Sequence, residues 1–120
     1  MKRVVIETPF AASTEEESKR NAAYLKAAMR DSISKGEAPY ASHALYTQFL
    51  DDTIPEERAE GIVMGFVWGD LATETVVYVD LGISKGMRAG IDYAQSKGRP
   101  VVYREVPGWY EGQERPSPLR

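Results

Sequence analysis

Short apolar runs alternate with amphipathic stretches along this chain of 120 residues. Arg3-Val4-Val5-Ile6-Glu7 is a β-branched run that halts at Thr8-Pro9, the pattern of a buried first strand. Ser13 or Thr14 then suits the cap of a helix, with Glu16 or Glu17 three residues on. The run Glu15-Glu16-Glu17 also matches the positive end of the helix dipole. Leu25, Met29 and Ile33 recur every four residues with Ala22 and Ala28 beside them, which predicts the inward stripe, and Gly36 ends the helix. From Ala38 to Phe49 the periodicity weakens, and Pro39 to Tyr46 suits a short second strand running into an extended loop. A second helix follows, with Thr53 as cap, Pro55 in its first turn, and Ile62, Val63, Phe66 and Val67 as its apolar face.

Val76 to Leu81 reads as a third strand and Ser84 to Lys97 as a third helix, with Met87, Ile91 and Ala94 facing inward. Gly98 ends that helix, and Arg99 to Tyr103 forms a short fourth strand. From Val106 the chain holds three prolines and two glycines, so the expected organisation is one domain over 1–105 and an irregular tail over 106–120. Strand-then-helix repetition predicts a parallel sheet of about four strands with helices on both faces. Ligands bind such sheets at the carboxyl edge. There the glycine-bearing turn Gly82-Ile83-Ser84-Lys85-Gly86 offers a hydroxyl and free backbone N–H groups to a phosphate or carboxylate.

Composition narrows the chemistry more than the fold. No cysteine is present, which excludes thiol catalysis, thiolate metal sites and disulfides, and one histidine excludes an all-histidine zinc site within one chain. A net charge of −3 argues against general nucleic-acid binding. No apolar run reaches membrane-spanning length, so the expectation is a cytoplasmic protein without a membrane partner.

Four blocks then carry a family resemblance. They are Thr8-Pro9-Phe10 after the first strand, Gly36 to His43, Pro55 to Ile62, and Ser84-Lys85-Gly86-Met87 with Ala94 and Gly98 to Val101. Together, over about residues 3–104, the chain resembles small phage and bacterial proteins related to nucleoside 2-deoxyribosyltransferases and nucleotide N-glycoside hydrolases. The resemblance implies a Rossmann-like (flavodoxin-like) fold, a nucleoside or nucleotide pocket at the strand ends, no cofactor, and a homo-oligomer. It maps the 5′-phosphate contact onto Ser84 and the Gly86 backbone. The family's nucleophilic glutamate belongs further along that helix, in a Ser-x-Gly-Met-x-x-Glu pattern, where this chain continues Met87-Arg88-Ala89-Gly90. The carboxylate for a covalent glycosyl intermediate is therefore missing. Gly90 either lets the helix pack closely or enlarges the pocket for a bulkier ligand.

The remaining candidates follow from position. Glu7 and Asp80 end the first and third strands, where they are solvated acids, ribose ligands, or a general base on water. Tyr40, His43 and Phe10 can stack on a base, with Pro9 and Thr8 lining the same pocket and Gly82 and Met87 flanking the phosphate turn. The resulting expectation is a protein that binds a nucleotide or nucleotide-derived ligand. A phage-encoded member would sequester a nucleotide immune signal. The alternative is a nucleoside 5′-monophosphate N-glycoside hydrolase or deoxyribosyltransferase using Glu7 or Asp80.

Overall fold

The computed structural model describes residues 1–110. Strands β1 (Lys2–Glu7), β2 (Glu37–Tyr40), β3 (Glu74–Tyr78) and β4 (Val101–Arg104) form one sheet in the order β2-β1-β3-β4. Every pairing is parallel, with Val5 opposite Tyr40, Glu7 opposite Val77, and Tyr78 opposite Arg104. The fold is therefore the small Rossmann-like α/β domain that the strand–helix alternation predicts. The sequence order reverses between β1 and β3, where chains of this kind open a crevice at the strand ends.

Helix α1 (Glu15–Ser34) links β1 to β2, while α3 (Pro55–Gly69) and α4 (Lys85–Ser96) link β2 to β3 and β3 to β4. With right-handed crossovers, α1 covers one face of the sheet and α3 and α4 the other. Thr14 caps α1 by accepting a hydrogen bond from the Glu17 amide, and Gly36 leaves the helix at φ +76°.

The α1 face holds the larger core: Val4, Ile6, Tyr24, Ala28, Val76 and Tyr78 are closed off from solvent. Its buried positions on α1 are Asn21, Tyr24, Ala28, Asp31 and Ser32; of the stripe expected from the apolar spacing, Ala28 is buried and Leu25 and Met29 pack half-buried against the core. Ile33 is 60% exposed, and Ala22 also faces solvent. The reason is polar pairing. The Tyr24 hydroxyl donates to Asp80 at 2.7 Å and accepts from the Asp80 amide at 2.8 Å, while Tyr78 donates to Asp31 at 2.7 Å. These bonds rotate the tyrosine-and-acid side of α1 inward. Arg104 adds a bidentate pair to Glu37 at 2.9 and 3.0 Å.

Three boundaries differ from expectation. β3 ends at Tyr78, so Asp80 lies in the turn that follows. The segment after Tyr40 is a short helix, α2 (Ser42–Leu45), with a 3-10 turn at Tyr46–Gln48, rather than an extended loop. Ile54 occupies the cap position of α3, because the Thr53 hydroxyl donates to Asp51 at 2.6 Å instead. On α3 itself Val63 and Val67 are exposed, while glycines face the fold. A Cβ at Gly65 would lie 2.8 Å from that of Ser42, and one at Gly69 would lie 3.3 Å from Val5. The glycines let α3 approach α2 and β1 more closely than a side chain permits.

After β4 the chain turns back over the α1 face. Val106 is buried and its amide donates to Asp80 at 2.7 Å, and Trp109 packs edge-on against Tyr24 with ring centroids 4.9 Å apart. The Tyr110 hydroxyl donates to the Asp80 carbonyl at 2.8 Å. The start of the expected tail is thus a fold-back on its own chain, and the rest of it lies outside the described residues. Among the described residues no helix is long and apolar enough to cross a membrane.

Candidate functional site

A cavity of about 530 Å³ opens at the switch point between β1 and β3, on the α3/α4 face. Pockets for small molecules commonly fall in this size range. Its walls come from four places: the end of β1 and the loop after it, the β2–α2 junction, the inner side of α3, and the first turns of α4. Each contributes what its local structure presents.

The first turns of α4 supply Ser84, Lys85, Gly86, Met87, Ala89 and Gly90. Ser84 is the N-cap, its hydroxyl accepting from the Met87 amide at 3.2 Å, while the Ser84 amide donates to the Met87 sulfur at 3.4 Å. The cap therefore occupies one face of the serine hydroxyl. Nothing lies within 4 Å of a Cβ built on Gly86, so the backbone at the helix start is open to the cavity. Lys85 and, from α3, Arg58 add positive charge to the walls.

The end of β1 supplies Glu7 and Thr8. The Glu7 side chain fills the space over Gly90 of α4: a Cβ there would lie 2.6 Å from the Glu7 carboxyl carbon and 2.9 Å from Oε1. Gly90 thus does not widen the pocket at this point. It makes room for a carboxylate that arrives from another element. No hydrogen bond to the Glu7 carboxyl is formed among the described residues. Burial pushes its pKa up to about 8, opposed by the positive charge of Arg99. Arg99 is held elsewhere, donating from Nε to Thr75 Oγ1 and from Nη1 to the Gly69 carbonyl, both at 2.9 Å.

Thr8 is buried, and its hydroxyl shares a 2.8 Å hydrogen bond with Nε2 of His43 from α2. Burial pushes the His43 pKa down to about 4, so the ring is neutral at pH 7. Phe10 meets His43 edge-on with ring centroids 6.3 Å apart, and is 41% exposed at the cavity wall. Tyr40 ends β2 beside them. Its buried hydroxyl faces that of Tyr46 yet makes no hydrogen bond of ordinary length. Phe66 lines the far wall and stacks on Tyr93 with centroids 3.7 Å apart.

Glu7, Thr8, Phe10, Tyr40, His43, Ser84, Gly86 and Met87 therefore line one cavity. Asp80, Gly82 and Pro9 are not among its lining residues. Asp80 is committed to Tyr24 and Val106 on the α1 face, so the two strand-end acids do not form a pair. Gly82 serves the turn, at φ +84°. Sequence reasoning missed Arg58 and Arg99 as lining residues and the hydrogen bond from Thr8 to His43. Among the described residues no group of three or more potential metal ligands assembles.

Residues 2–104 match the model of a family described as a domain of unknown function (DUF7768), and the chain belongs to that family. No curated protein and no solved structure matches it.

Proposed function

We propose that this protein binds a nucleotide or nucleotide-derived small molecule in the cavity between β1, α3 and α4. One observation carries the reading. A single cavity joins an open helix start that carries Lys85 (Ser84 to Met87) to aromatic walls from Phe10, Tyr40 and His43, with Arg58 of α3 lining it beside Asp52. An anion fits the first part and a flat base the second. Glu7 lies between strand end and helix, where a sugar or the inner edge of the base would pass. Sequestration of a nucleotide signal is the biological form of this reading, since nothing on α4 replaces the carboxylate expected at Gly90.

Glu7 also supports a second reading, hydrolysis of an N-glycosidic bond. Its raised pKa leaves it largely protonated at pH 7, able to give a proton to a departing base while water attacks the anomeric carbon. The proton of that water leaves to solvent in the cavity, because burial opposes a positive charge on His43.

Incubation of the purified protein with nucleoside 5′-monophosphates and cyclic nucleotides, then heat release and mass spectrometry, separates the readings. Recovery of an intact ligand in about equal amount to protein is the expected result. Accumulation of free base with time establishes the hydrolase instead, and recovery of no ligand with no cleavage defeats both.

A further inference from the structure

We propose that Glu7 is the specificity-determining residue of the cavity, recognising an uncharged ligand group that carries a hydrogen-bond donor and an acceptor on adjacent atoms. A sugar cis-diol and the amide or amidine edge of a base share this chemistry. The inference rests on the binding reading above and names what the inner part of the ligand must offer.

Three observations lead to it. The carboxyl seats against Gly90 of α4, in space that a Cβ there would occupy. It is half-buried, lines the cavity, and takes no hydrogen bond from the described residues. The cation nearest in effect, Arg99, is spent on Thr75 and the Gly69 carbonyl rather than on a salt bridge to Glu7. A carboxyl that lines a cavity and takes no hydrogen bond from the described residues is open to pair with whatever fills the cavity.

The protonation state sets which partner it selects. Burial keeps the free carboxyl largely protonated at neutral pH, so it presents one O–H donor beside one carbonyl acceptor. The charged and titratable groups sharing the cavity do not overturn this. His43 is neutral, Tyr40 is pushed further from ionisation by burial, Asp52 brings negative charge, and Lys85, Arg58 and Arg99 bring positive charge. A ligand with two donors, or with a cation at this place, would require the ionised form that burial opposes. A site of this type rejects analogues that lack the matching polar atoms, because its own groups are then left unpaired.

Glutamine is the uncharged mimic of a protonated glutamate, with one donor and one acceptor in the same shape. Affinity for adenosine 5′-monophosphate, its 2′,3′-dideoxy analogue and ribose 5-phosphate is measured by calorimetry for the wild type, Glu7→Gln and Glu7→Met. Circular dichroism confirms that each variant folds. Glu7→Gln is expected to stay within about threefold of wild type, and Glu7→Met to lose about tenfold or more. Wild-type affinity is expected to fall above pH 8, and that of Glu7→Gln to stay flat. Loss of affinity only for the dideoxy analogue assigns the partner as the sugar diol. A Glu7→Met loss that persists with the dideoxy analogue and disappears with ribose 5-phosphate assigns it as the base edge. If Glu7→Gln loses as much as Glu7→Met, or if neither variant changes affinity, the inference is wrong while the binding reading stands. If the wild type binds none of the three probes and no other nucleotide, the binding reading itself falls.

Discussion

The two faces of the sheet bury polar groups in opposite ways. On the α1 face the buried polar side chains pair with one another: Tyr24 with Asp80, Tyr78 with Asp31 and Arg104, Ser32 with Glu37 at 2.8 Å. On the α3/α4 face the cavity holds a carboxyl without a hydrogen bond from the described residues, a tyrosine hydroxyl without one of ordinary length, and a histidine kept neutral. Satisfied polar burial fixes a structure, because each bond tells the helix how to sit. A polar group that lines a cavity without a partner on its own chain is available to whatever arrives there. The packing agrees. Six of the buried apolar residues in the larger cluster are Val4, Ile6, Tyr24, Ala28, Val76 and Tyr78 on the α1 side, whereas Val77, Met87 and Ile91 form the smaller one.

The largest expected effect comes from breaking the satisfied face. Asp80→Ala removes the acceptor of Tyr24 and of the Val106 amide and frees the returning chain. A loss of about 3 kcal/mol is expected from chemical denaturation, because two buried donors lose their partner. A loss under about 1 kcal/mol would mean that the α1 face is not held by its polar pairs.

The unsatisfied face should respond with the other sign. The pKa of Glu7 is higher in the folded state, about 8, than its ordinary value of 4.5, so the folded protein binds the extra proton. Stability attached to this group is therefore complete below pH 4.5 and is lost as pH rises through 8. Glu7→Gln removes that loss. It is expected to be more stable than wild type at pH 8.5, with a much smaller difference at pH 5. The His43 ring acts in the other direction, since its pKa falls to about 4 on folding and its contribution is lost as pH drops from 6.5 through 4. A melting-temperature series over pH 4 to 9 separates the two slopes.

Much of the architecture was legible. Apolar strands ending at turn residues, with glycines past α1 and α4, identify the four strands and the three longer helices though not α2, and that alternation implies a parallel sheet. The site was legible in part. Ser84 and Gly86 announce a helix start at a strand end, and the gap at Gly90 is visible as a missing residue type. What sequence could not show is the answer to that gap. Looking for a replacement along the same helix leads to Asp92, on another side of it. The carboxyl arrives instead from Glu7, some eighty positions earlier in the chain. The available signal was an acid closing the otherwise apolar run Val4-Val5-Ile6. The reverse error occurred on α1. Ile33 sits at apolar spacing yet faces water, because Asp31 and Tyr24 have partners across the core and their bonds set the rotation of the helix.

Two smaller effects sharpen the contrast. Gly90→Ala gains helix propensity of about 1 kcal/mol and must push aside only the mobile end of Glu7, so stability should change by less than about 1 kcal/mol. Ligand affinity should nonetheless fall, because the carboxyl leaves its seat. Thr14→Ala removes the α1 cap bond at 3.1 Å and should cost about 1 kcal/mol without touching affinity. An outcome in which Thr14→Ala weakens ligand and Gly90→Ala does not would invert the assignment of the faces.

The most direct test is an amide NMR titration of the wild-type protein with adenosine 5′-monophosphate. Saturable shifts are predicted at Glu7, Thr8, His43 and along Ser84 to Gly90, with Tyr24, Asp31 and Tyr78 unmoved. Shifts centred on the α1 face, or no saturable shift with any nucleotide, would contradict the division of the molecule into a satisfied face and a ligand face.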